Sequence, residues 1–172
     1  RYKLSKRGDA FDCDQEITLN RTDGVWQMEI RLDVLSGSRP EFIDVEIPTR
    51  WSQSDKLRIE NSGIWTRQPS IDPLRHIIRV ALDAQYSDGP SLVMRGELVG
   101  AESARVSVPS VRVLGRGKRR VMINVPTRLG NDKLQWREQA VKAVPTGLKD
   151  FARYECQRPS WTVDLAPLPE VD

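Results

Sequence analysis

The chain has 172 residues, with 27 Lys and Arg against 24 Asp and Glu for a formal net charge of +3, and an isoelectric point near 9.0. That length can bury a sizeable core without covalent staples, while so balanced a charge offers no clustered cationic footprint, so nucleic acid is not an expected partner. No window approaches the roughly 20 apolar residues of a spanning helix, so no direct membrane insertion by this stretch is expected.

Period-two alternation, the mark of half-buried strands, starts at 10–20. There Phe11, Cys13, Ile17 and Leu19 alternate with Asp12, Asp14, Glu16 and Thr18. "RTDG" follows, and Asp23-Gly24 suits a hairpin turn whose two central residues take positive φ. The clearest strand comes next, at 25–35, with Trp26, Met28, Ile30, Leu32 and Val34 on one face and Gln27, Glu29, Arg31 and Asp33 on the other. Further strands are predicted at 41–47, 56–60, 75–83, 91–99, 104–108, 111–114, 119–125, 133–137 and 160–165. Gly and Pro punctuate them, as short connections between antiparallel strands require. Ala, Glu, Gln and Lys at 138–154 favour one or two short helices instead. The chain opens at Arg1 and trails off in "APLPEVD", which suggests a piece of a longer protein.

One phrase is written twice. "IPTRWSQSDKL" at Ile47–Leu57 returns as "VPTRLGNDKL" at Val125–Leu134, with Pro48 and Pro126 separated by 126 − 48 = 78 positions. Upstream the register persists, since Ile43, Val45 and Ile47 fall on Val121, Ile123 and Val125. A slip of one residue would have turned every apolar side chain to the wrong face. The expected fold is therefore all-β, with two tandem antiparallel, sandwich-like units related by an internal repeat of about 78 residues, at 1–88 and 89–172. The two are expected to pack together as one compact fragment. Proline fixes φ and has no N–H, so each "PTR" terminates a strand. Arg50 and Arg128 then either answer acceptors of their own unit or form a repeated binding loop.

Chemistry-bearing patterns are sparse. His76 is the sole histidine, so a multi-histidine metal site cannot be built from this chain. No G-x-S-x-G, P-loop or G-x-G-x-x-G occurs. "GRGKRR" at Gly115–Arg120 reads as a solvated turn, and the acids of "DCDQE" at 12–16 as one strand face, because Ile17 stands where a calcium loop needs glycine. Trp26, Trp136 and Trp161 lie on apolar stripes and read as core. Trp51 and Trp65, in or beside turns, are the candidates for a sugar-stacking platform. Cys13 and Cys156 are a candidate disulfide closing a loop of roughly 140 residues, which would favour an oxidising compartment.

The strands "VWQMEIRLDV", "FIDVEIPTRW", "DKLRIENSGIW", "LRHIIRVAL" and "LVMRGELVG…RVSVPSVRVLG", with the ending "FARYECQRPSWTVDLAPLPEVD", resemble β-rich modules of very large envelope-associated bacterial proteins such as those of planctomycetes. The resemblance implies export to the periplasm or cell envelope and a multi-module parent, with other modules or envelope proteins as partners. It implies no chemistry. The expected function is a non-catalytic structural or interaction module, not an enzyme, with no cofactor and no metal. A carbohydrate-binding module with glycan partners is the alternative, and a carboxylate-pair hydrolase the third reading.

Overall fold

Strand β1 (Cys13–Thr22) folds back on β2 (Val25–Val34) through Asp23-Gly24. The φ angles there, 51° and 76°, both lie in the left-handed region that this hairpin turn needs. Ile17 opposes Ile30 and Leu19 opposes Met28 on the buried face, while Glu16 opposes Arg31 on the other. The alternation in the sequence is thus the alternation of faces.

The computed structural model describes residues 10–35, 40–52, 57–60, 65–82, 91–98 and 106–166, without the side chains of Arg50 and Ser52. After β2 come β3 (Phe42–Pro48), the single turn α1 (Thr49–Ser52), β4 (Arg58–Glu60), β5 (Trp65–Pro69), β6 (Arg75–Ala81) and β7 (Ser91–Glu97). Then follow β8 (Arg112–Val113), β9 (Arg119–Pro126), β10 (Arg128–Leu129), β11 (Asp132–Lys133), β12 (Trp136–Gln139), β13 (Val141–Val144), β14 (Phe151–Cys156) and β15 (Thr162–Leu165). A seven-stranded sheet runs β13-β14-β9-β1-β2-β7-β4, a four-stranded sheet runs β5-β6-β3-β8, and β10-β11 and β12-β15 form two-stranded pairs. The fold is all-β. Its inward residues, from Phe11 and Ile17 through Ile43, Val80, Met94 and Ile123 to Val163, form one hydrophobic cluster shared by both large sheets. Each fully buried aliphatic side chain there contributes about 1.5–3 kcal/mol of transfer free energy.

Two expectations need correction. The sheets are not wholly antiparallel, because β9 runs parallel to β1 with Ile17 opposite Ile123. Gly115 (φ 103°) and Gly117 (φ 128°) let the chain leave the four-stranded sheet at β8 and turn alongside β1, where the Phe11 and Cys13 amides donate to Arg116 and Lys118 carbonyls. Nor is 138–154 helical. It holds β13 and begins β14, whose Tyr154 is buried opposite Ile123, so pairing on both edges overrides the local preference of Ala and Lys.

The repeated phrase has a shared local geometry in two different sheets. The order β5-β6-β3 has the same connectivity as β13-β14-β9. Pro48 ends β3 opposite Arg75, and Pro126 ends β9 opposite Phe151. In each case the following threonine amide donates one residue further back, Thr49 to the Leu74 carbonyl at 2.9 Å and Thr127 to that of Asp150 at 2.8 Å. The exits then diverge into α1 after Pro48 and into the β10-β11 hairpin after Pro126. The two halves do not each keep to their own sheet, because the seven-stranded sheet draws β1, β2 and β4 from the first and β7, β9, β13 and β14 from the second.

Candidate functional site

Between β5 and β6 the chain makes a turn, Ser70–Leu74, fixed at both ends. Asp72 Oδ1 accepts the Leu74 amide at 2.9 Å. The Asp72 carbonyl accepts the Arg75 amide at 3.0 Å, and the Leu74 carbonyl is held by Thr49. Ser70 Oγ donates to Glu46 Oε2 at 3.0 Å, tying the turn down onto β3. On this braced backbone Ile71 is 106% exposed and Leu74 76% exposed, the two most exposed large aliphatic side chains among the described residues.

Open cavities flank the turn. One, of 540 Å³, is walled by Pro48, Pro73, Leu74 and Pro109. The next, of 690 Å³, is lined by Ile71, Ile77, Pro159 and a polar cluster around Glu46. Arg75 sits between Glu46 and Asp72, with 3.8 Å to a carboxylate oxygen of each, and donates to the Ser110 carbonyl at 2.9 Å. Both acids of the groove therefore face one guanidinium as an ion-paired group. Apolar walls carrying four prolines thus adjoin a fixed charge pattern.

The residues singled out from the sequence fall elsewhere. Trp51 is fully buried, lying over Gly96 of β7, so it is core and no platform. Trp65 is half-buried on edge strand β5, opposite Val80, and packs against the core. The Arg50 side chain lies outside the described residues. Arg128 opens β10 exposed, and no ion pair or hydrogen bond engages its side chain among the described residues. His76 lies within β6 opposite Ile47. Of the "DCDQE" acids, Asp14 and Glu16 lie in strand β1 and Asp12 just before it; Asp12 Oδ1 accepts the Lys118 amide at 2.7 Å and Glu16 Oε1 accepts from Asn124 at 2.8 Å.

Cys13 and Cys156 are free thiols. The candidate disulfide is absent for a geometric reason, since β9 lies between β1 and β14. Two strand spacings hold the backbones about 9–10 Å apart, beyond the roughly 7 Å that a disulfide spans. Burial pushes both thiols up to about 12. Sequence reasoning missed Ile71 and Leu74; the signal available was "PSIDPL", a pair of aliphatics set among Pro, Ser and Asp with no strand alternation.

A comparison with family models and one with curated proteins each found no match. Among solved structures, yeast LTA4 hydrolase in complex with bestatin is similar over 98% of this chain and 30% of its own, at 10% identity and a TM-score of 0.49. Native yeast LTA4 hydrolase aligns over the same shares at 11% identity and a TM-score of 0.46. Aminopeptidase A of Legionella pneumophila in complex with aspartic acid aligns over 96% of this chain and 22% of its own, at 12% identity and a TM-score of 0.43. The chain spans less than a third of each of these proteins.

Proposed function

We propose that this chain is a non-catalytic interaction module that docks another module of a larger parent protein through the Ile71–Leu74 turn. The observation that carries the reading is the exposure of two large aliphatic side chains on a turn already held by hydrogen bonds. Burying each contributes about 1.5–3 kcal/mol, and a pre-ordered turn avoids most of the ordering cost of association. The prolines beside it form a rigid apolar rim, and the Glu46–Arg75–Asp72 group gives the partner a polar register to match. The resemblance to envelope-associated modules supports placing the parent outside the cytoplasm; the two separated thiols lend that placement no support. A glycan platform on Trp51 is not favoured, because the indole is buried.

Photo-cross-linking in the native host tests the reading. A photoreactive residue at position 71 or 74 of the protein is expected to give one and the same adduct, with no such adduct from position 148, where Leu148 is also exposed. No adduct from 71 and 74, or the same diffuse products from all three positions, would refute it.

A further inference from the structure

On the far side of Ser110 and Arg112 from the docking turn lies a third cavity, of 350 Å³, near the lower end of the size range of small-ligand sites. Its position follows from the topology. Val106–Leu114 crosses from β15, where the Val108 amide donates to the Val163 carbonyl, to β3, where the Leu114 amide donates to the Asp44 carbonyl. That crossing leaves a gap over the ends of β1, β9 and β14.

The gap has two chemistries. Its floor is apolar, made by Val111, Val113, Val121 and Trp161. Its rim is cationic, because Arg112, Arg119 and Arg158 all line it and, among the described residues, no Asp or Glu does. The three arginines are not equivalent. Arg119 is spent on the fold: it donates to the Phe11 carbonyl and to those of Lys118 at 3.2 Å and Leu114 at 3.3 Å, and its guanidinium lies 4.3 Å over the Phe11 ring. Arg112 has only a long 3.8 Å contact with Glu46, an acid already engaged by Ser70 and Arg75, and its side chain is 66% exposed. Arg158 has no ion pair or hydrogen bond among the described residues and is exposed at the mouth. At the inner end Gln15, only 1% exposed, is locked by its Nε2 donating to the Val111 carbonyl at 3.0 Å. The pocket wall is therefore fixed, while of the two outer guanidinium forks Arg158 has no acceptor among the described residues and Arg112 has only its long contact with Glu46.

We propose that this cavity binds a small apolar carboxylic acid, its carboxylate held by Arg158 and Arg112 and its hydrocarbon part laid on the valines and Trp161. The guanidinium fork matches a carboxylate in two parallel hydrogen bonds. The apolar floor favours an acid with a hydrocarbon body over inorganic phosphate, which would leave those side chains against water. A free organic acid and the C-terminal carboxylate of a polypeptide present the same group. The proposal goes beyond the docking role and does not depend on it.

Calorimetric titration of the full chain with hexanoate, hexanamide, inorganic phosphate and the peptide Gly-Gly-Leu, as free acid and as amide, decides it. Hexanoate is expected to bind saturably and at least about 10-fold tighter than hexanamide, the size of one lost charge-assisted hydrogen bond. Arg158→Gln, at an exposed position, is expected to weaken hexanoate about 10-fold without changing the melting temperature, and Arg112→Gln to act in the same direction. A free-acid peptide binding well above hexanoate assigns the site to a chain terminus, and the reverse assigns it to a free acid. Equal binding of hexanamide, phosphate binding as tightly as hexanoate, an unchanged affinity in Arg158→Gln, or no saturable binding of either acid would overturn the proposal. Ile71→Asp with Leu74→Asp serves as the control: hexanoate affinity is expected to be unaffected, so the two proposals fail separately.

Discussion

Gly96→Ala isolates the contact that turns Trp51 from a surface candidate into core. A Cβ built on Gly96 would lie 2.6 Å from Trp51 Nε1, 3.2 Å from Cε2 and 3.3 Å from Cδ1. The obstacle is a rigid indole that is itself fully buried, so no flexible tip can swing aside. Overpacking of this kind costs about 1–3 kcal/mol. Against it, alanine in place of a strand glycine returns about 0.5–1 kcal/mol of backbone entropy. The net loss is expected near 1–2 kcal/mol, or about 5 °C in melting temperature for a chain of this size. Urea unfolding should show the midpoint fall with the slope unchanged. In a double-mutant cycle, Trp51→Phe should relieve part of the loss, with a coupling of about 1 kcal/mol. Trp51→Ala alone should cost about 3–5 kcal/mol. A Gly96→Ala protein as stable as the wild type, or a Trp51→Ala protein that unfolds at the wild-type midpoint, would refute the placement of the indole.

Three further outcomes follow from the described contacts. Arg79 donates to both Asp44 oxygens at 2.9 Å and covers the Phe42 ring at 4.0 Å; Arg79→Lys keeps the charge but loses the fork, and partial exposure limits the expected cost to about 1 kcal/mol in the urea midpoint. Arg128→Ala should stay within about 0.5 kcal/mol of wild type, because nothing in the described structure engages that side chain; a larger loss would restore a structural role to the repeated arginine. The third outcome concerns pH. Burial holds the Cys13 and Cys156 thiols protonated, pushing them from 9.0 up to about 12. Burial, helped by a hydrogen bond with Glu138, does the same to the Tyr154 hydroxyl, raising it from 10.0 to about 12. The unfolded chain releases these protons first, so between pH 9 and 12 it binds fewer than the native state and stability falls as pH rises, while below pH 9 these groups contribute no slope. Urea midpoints taken at pH 8, 9, 10 and 11 check this, and a profile flat above pH 9 would contradict it. The cysteines should also resist alkylation in the native state, and the mass should be the same with and without reductant.

The β1-β2 hairpin was legible because strand alternation and a two-residue turn signal are both local, and each predicts the register of the other. Which strand lies beside β1 on its second edge was not legible. Alternation tells which face of β9 is buried, and Ile123 duly is, but it carries no information about the neighbour or its direction. Strand β14 was hidden by helix-favouring Ala and Lys, whose weak preference yields once Tyr154 can be buried between sheets. Trp51 looked available because its position beside a turn is written locally, whereas the hole that receives it is made by a glycine 45 positions away (96 − 51). The arginine-rimmed cavity draws on residues 15, 112, 119 and 158, and no spacing in the sequence announces such a gathering.

The parallel pairing of β1 with β9 has a consequence for how the chain is made. One neighbour of β1 follows it after two turn residues, but the other, starting with Arg119 opposite Cys13, emerges 119 − 13 = 106 residues later. At about 5–20 residues per second, the hairpin waits roughly 5–20 seconds with the backbone donors and acceptors of that edge unfilled. During this interval that open backbone edge, on a strand whose inner face carries Cys13, Ile17 and Leu19, is a template for any other extended chain, including a second nascent copy. A chain ending before Arg119 would keep that edge open permanently, so truncation there should yield aggregates while longer products, able to supply β9, stay dispersed.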